Sequence, residues 1–213
     1  MIEGTIAGLA AGLVATKKVS IKKNTFTSTC LEVVIDGKPV DIALVDVVVC
    51  DDVFIASRAV WKMEKIRQIF LNQARPCNIG LSSIGGMLHS IAPEEPCSMY
   101  LELDKKGQPV TAPIAPGVIE TVVIANMQLM EFGEEVDISL KPSVVALDGE
   151  REMEIKRGCK ATIRFSAHGP LVVDINRTMA SAMQKKIFAP GAQKGSNLLI
   201  VKQKNIKRKE PLN

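Results

Sequence analysis

Few residues in this chain have the types and spacing that chemistry needs. Asp46 places an acid inside Val40 to Cys50, an almost unbroken run of valine, isoleucine and leucine. Leu81 to Gly86 offers the hydroxyls of Ser82 and Ser83 beside Gly85 and Gly86. Glycines let backbone N–H groups come close to a ligand and tolerate positive φ, so the segment suits ligand binding; it equally suits a plain turn. His89 and His168 stand far apart, where surface or turn positions are expected, and the five cysteines (Cys30, Cys50, Cys77, Cys97, Cys159) are odd in number with no C-x-x-C pair. That pattern suggests neither a disulfide framework nor a zinc clip, and no metal ligand is assigned. There is no P-loop, no G-x-S-x-G and no H-E-x-x-H, so the residues by themselves name no catalytic group.

The elements that must position these residues read mostly as strands. Ile2 to Thr16 reads as a helix with Gly4, Gly8 and Gly12 on one face. Each glycine costs a helix about 1 kcal/mol relative to alanine, which predicts close packing there, either on a sheet or in a helix-dimer seam. Cys30 to Ile35, a turn at Asp36-Gly37, and Val40 to Cys50 follow as strands, the last with the composition of one buried on both faces. Trp61 to Ala74 is predicted as an interior helix, with Met63, Ile66, Ile69 and Phe70 on one stripe and Pro76 as its stop. Beyond it, short β-prone segments from Ser98 to Val173 are punctuated by turn signals such as Lys106-Gly107, Phe132-Gly133 and Asp148-Gly149. A helix from Ile175 to Phe188, begun by Asp174 or Asn176, closes the body. The fold class is therefore mostly β (α+β), a predominantly antiparallel β-sandwich or related all-β body with a few flanking helices, over residues 1–188. Residues 189–213 form a basic tail expected to be disordered.

Composition limits the partners. The 213 residues are 46% hydrophobic, enough to bury roughly 70% of the unfolded surface. The net charge of +4 comes from the tail: removing the five basic residues and one acid of Lys202 to Asn213 leaves 22 against 22. A neutral body carries no basic face for nucleic acid, so no nucleic-acid partner is expected. The apolar run Ala7 to Ala15 is too short to span a bilayer, and Lys17 and Lys18 follow it where a signal peptide has its charges in front. A cytoplasmic protein with no membrane partner is expected.

Several ordered motifs carry a resemblance. Glu3 to Leu13, Ala56 to Trp61, Ile79 to Gly86, Ala112 to Gly117, Ala146 to Glu152 and Gly169 to Asp174 resemble, over about Ile2 to Phe188, the carboxy-terminal part of the acetoin catabolism protein X family. That family is NAD-kinase-like, and the wider NAD kinase and diacylglycerol kinase superfamily is similar at the same places, more loosely. The resemblance implies an NAD-kinase-like β-sandwich. It also implies a nucleotide, NAD or ATP, held at Asp46 and at Ser82, Ser83, Gly85 and Gly86. Asp46 stands where NAD kinases have the glutamate of Ala-Leu-Asn-Glu, while Val45 replaces the asparagine and Gly117 replaces a usual histidine. Pro113 to Pro116 and Asp148-Gly149 match a bend and a hairpin and read as architecture.

The family's Gly-Gly-Asp-Gly loop, whose acid activates the hydroxyl that receives the phosphoryl group, has no counterpart here. The resemblance therefore implies no phosphotransferase activity from this chain alone, no catalytic residue, and a missing half encoded upstream of Met1. It leaves open a half-enzyme that keeps a nucleotide site and a homo-oligomer surface through Ile6, Leu9 and Leu13, a non-catalytic binding or assembly module, and a lipid-kinase-like domain.

Overall fold

A computed structural model describes residues 3–51, 63–92 and 95–189. In chain order these are α1 (Gly4–Ala15), α2 (Ile21–Asn24), β1 (Thr25–Thr27), β2 (Cys30–Ile35), β3 (Lys38–Ala43), β4 (Asp46–Cys50), a 3-10 turn (Met63–Lys65), β5 (Ile66–Leu71), α3 (Leu81–Gly86), β6 (Ser98–Ala115), β7 (Val118–Met130), β8 (Glu135–Asp137), β9 (Ser143–Leu147), β10 (Arg151–Ile155), β11 (Ala161–Ser166), β12 (Leu171–Val173) and α4 (Ile175–Gln184). The chain divides into two units, residues 26–172 and the two ends, 1–25 with 173–213. Among the described residues no helix is long and apolar enough to cross a membrane.

The central unit is the antiparallel sandwich that the turn cadence predicts. Six strands run in the order β10-β9-β4-β5-β6-β7 and four in the order β3-β2-β11-β8. Strand side chains alternate between faces, so Val47 and Val49 of β4 join Phe70, Tyr100, Val145, Leu31, Val33, Ile163 and Phe165 in the layer between the sheets. Val48 and Cys50 point the other way, into a second apolar layer with Ile69, Leu71, Met99 and Leu101. That layer is closed by Leu81 and Ile84 of α3 and by Val110, Ala112, Ile114 and Val122 from the outer halves of β6 and β7. The β6–β7 pair loses register at Leu103 and resumes at Gln108, both opposite Ile124. At this bulge Gly107 is required, because a Cβ there would lie 2.1 Å from the Ile124 carbonyl oxygen.

Three sequence expectations are corrected. The helix predicted over Trp61 to Ala74 is strand β5, with Trp61 and Lys62 outside the described residues. Ile66, Gln68, Ile69, Phe70 and Leu71 are buried between β4 and β6, and a short run that is apolar on both faces satisfies a helical stripe as well as a strand. The single strand predicted over Val40 to Cys50 is two: the chain leaves the four-stranded sheet after Ala43 and enters the six-stranded sheet at Asp46. The short segments expected on either side of the Lys106-Gly107 turn signal are one bulged strand, Ser98–Ala115.

The terminal unit packs α1 and α4 through Leu13, Val14, Val19 and Ala182. Glu3 caps α1 by accepting the N–H groups of Thr5 and Ile6 at 3.0 and 3.1 Å, and Asp174 caps α4 by accepting that of Arg177 at 2.9 Å. Of the two kinds of close packing expected at Gly4, Gly8 and Gly12, packing on a sheet is not found: beyond their chain neighbours and the helix's own backbone, no described atom lies within 4 Å of a Cβ built on any of them. Leu13 is buried, whereas Ile6 and Leu9 are 45% and 42% exposed.

Candidate functional site

The Leu44-Val45 crossing between sheets sets the position of Asp46. Two side chains hold it. Asn72 Nδ2 donates to the Leu44 carbonyl at 2.8 Å and to that of Thr29 at 3.0 Å. Asp148 turns its carboxylate onto the backbone, accepting the N–H groups of Leu44 (3.0 Å), Val45 (2.7 Å) and Asp46 (3.2 Å). Asp148 and Gly149, both at positive φ (54° and 68°), make the tight turn between β9 and β10 that the Asp-Gly pair predicts. The second job of Asp148 is invisible in sequence, since its partners lie more than a hundred residues away.

Asp46 points to the face of the six-stranded sheet that Val48 and Cys50 share with α3. Its carboxyl accepts no hydrogen bond from any described protein donor and has no described cationic partner. Burial, and secondarily the negative charge of Asp148, push its pKa up to about 7. A carboxyl poised near neutrality can donate or accept a hydrogen bond, which marks functional acids more often than structural ones.

The Ser82 to Gly86 segment is a short buried helix where the sequence suggested a polar loop or turn. Ser83 Oγ lies 2.7 Å from the Gly80 carbonyl and 3.0 Å from that of Pro113, and can donate its one proton to either. Ser82 Oγ accepts from Asn78 Nδ2 at 3.3 Å. A Cβ on Gly85 would fall 2.3 Å from Leu71 Cδ1, and one on Gly86 would fall 2.2 Å from the Arg75 carbonyl carbon. Ser83, Gly85 and Gly86 therefore serve packing in this conformation. Asp46 and α3 share Leu71 as a neighbour: Asp46 pairs with it across β4 and β5, and its side chain lies against Gly85.

His89 and His168 are exposed. Among the described residues no group of His, Cys, Asp or Glu is arranged to hold a metal. A cavity of about 590 Å³ lies elsewhere on the sandwich, lined by Ile66, Arg67, Glu102, Leu103 and Lys105 among others, and none of the five sequence-derived site residues lines it. Its Arg67 is paired with Asp51 at 3.0 Å in an exposed ion pair.

Two comparisons bear on this arrangement. The model of the acetoin catabolism protein X C-terminal domain matches residues 29–168, which take in both sheets, Asp46 and α3. Acetoin catabolism protein X of Cupriavidus necator is 35% identical over 189 residues, which is 85% of this chain and 53% of that protein. The chain thus spans about half the length of the curated relative it matches.

Proposed function

Because the chain belongs to the acetoin catabolism protein X C-terminal domain family, we propose that its sandwich is a nucleotide-binding module that contributes one wall of a site and no catalytic residue. The observation that carries this reading is Asp46: a half-buried carboxyl without a described protein donor, on the same sheet face as α3. A partly desolvated acid without a protein donor gains from one, and a ligand hydroxyl offers it. A ribose hydroxyl of NAD or ATP suits it, since the acid near pH 7 can serve as donor or acceptor. The α3 segment with Ser82, Ser83, Gly85 and Gly86 is the second part of the proposed wall.

Calorimetric titration of the chain with NAD and with ATP tests the reading, using wild type and Asp46→Asn, which keeps the shape and loses the titration. Saturable binding weakened about tenfold in the variant is expected, the size of one lost charge-assisted hydrogen bond. Equal affinities would move the ligand away from Asp46, and no saturable binding of either nucleotide would end the nucleotide reading.

A further inference from the structure

Each open sheet ends in strands that present unpaired N–H and C=O groups, and folded chains normally protect such edges with charge, proline or brevity. Three of the four edges of this sandwich follow that rule. Edge strand β3 carries Lys38, Pro39 and Asp41; β8 is three residues long and holds Glu135 and Asp137; β10 carries Arg151, Glu152 and Glu154. Among the described residues the fourth does not. Strand β7 runs 13 residues, against about 5–6 for an ordinary strand, contains neither proline nor a basic residue, and has Glu120 as its sole charge. It also exposes apolar side chains along its length: Ile119 is 70% exposed, Val118 42%, Leu129 41% and Met127 38%.

We infer that the outer edge of β7 pairs antiparallel with β7 of a second copy of this chain, joining two six-stranded sheets across a two-fold axis. Ala125 is out of register with β6, since Glu102 pairs with Asn126 and Leu103 with Ile124, and the register shifts again between Pro113 and Ala115, so Ile119 to Ile124 is the regular stretch, with Val118 at its end. A two-fold axis at Thr121 sets Ile119 opposite Val123, Glu120 opposite Val122 and Val118 opposite Ile124. No like charges meet, and apolar residues directly opposite one another are the pairs that stabilise antiparallel strands. The match of the strand to itself selects a second copy over an unrelated partner, because a two-fold interface needs one patch that complements itself.

Light scattering and sedimentation velocity on the full chain decide the matter. Wild type is expected at about twice its 23.1 kDa at micromolar concentration, with Ile119→Lys raising the dissociation constant at least tenfold. Leu9→Lys, on the exposed face of α1, leaves the dimer intact. A wild type that stays monomeric to about 100 µM overturns the proposal, as does a dimer lost through Leu9→Lys but kept in Ile119→Lys. Should Ile119→Lys fail to fold, hydrogen exchange on wild type replaces it: amide protection over residues 118–124 that rises with protein concentration supports the pairing, and concentration-independent exchange there rejects it.

Discussion

Asp148 and Asp46 are joined through their backbones and opposed through their side chains. The Asp148 N–H donates to the Asp46 carbonyl at 3.0 Å and Asp148 Oδ1 accepts the Asp46 N–H at 3.2 Å, while the Asp148 charge adds to burial in lifting the Asp46 pKa. The arrangement makes the N–H groups of the sheet-to-sheet crossing depend on one carboxylate, while the Asn72 amide holds its Leu44 carbonyl.

Asp148→Ala removes the acceptor of three backbone N–H groups and puts alanine at φ 54°. Unsatisfied donors cost about 1–3 kcal/mol each when buried, and these are only partly buried, so a loss of about 2–4 kcal/mol is expected in urea unfolding. Asp148→Asn keeps an acceptor oxygen and tolerates the same backbone, and should lose less than half as much.

Stability should fall as pH rises from about 4 to 7 because of Asp46. Its carboxyl titrates near 3.8 when unfolded and near 7 when folded, so the native state holds the extra proton across that window. The penalty is complete above pH 7 and amounts to at most about 4 kcal/mol. Asp46→Asn should therefore be more stable than wild type at pH 8 and nearly equal to it at pH 4. Unfolding midpoints of both proteins at the two pH values check this, and a difference that does not change with pH counts against the buried-acid account.

What could be read in the sequence followed locality. The Asp36-Gly37 turn, the Asp148-Gly149 turn and the Asp174 cap each depend on a few neighbouring residues, and all occur as expected. Strand β5 was not legible, because burial on both faces comes from β4, β6 and two apolar layers supplied by distant residues. The break at Leu44-Val45 was hidden for the same reason: nothing in that run turns the chain, and the groups that hold the crossing, Asn72 and Asp148, come from elsewhere. Asp46 was found as an acid in an apolar run and through family likeness, but its pairing with Leu71 and its proximity to α3 required the register of β4 on β5.

Gly85→Ala and Gly86→Ala should both destabilise the sandwich, to different degrees. The Gly85 neighbours are the flexible ends of Leu71 and Met99, which can shift, so a cost of about 1–3 kcal/mol is expected. Gly86 faces the Arg75 and Pro76 backbone, which cannot move without displacing α3, and its variant should be the worse of the two. Thermal unfolding of each variant settles the order. Equal stability of all three proteins would mean that these glycines are not kept for packing.

Gly8→Ala should do the opposite and stabilise the terminal unit. Gly8 sits inside α1, away from its caps, and its Cβ position is open on the described chain. Alanine there removes the entropic cost of glycine in a helix, worth about 1 kcal/mol, without adding a clash. Glycine at Gly4, Gly8 and Gly12 gains meaning only if another surface approaches the helix closely. In that case alanine costs stability, and the cost depends on protein concentration when the surface belongs to a second copy. Unfolding of wild type and Gly8→Ala at two concentrations a hundredfold apart separates these outcomes. A concentration-independent gain of about 1 kcal/mol is expected, because α1 packs through Leu13 and Val14 and leaves its glycine face free.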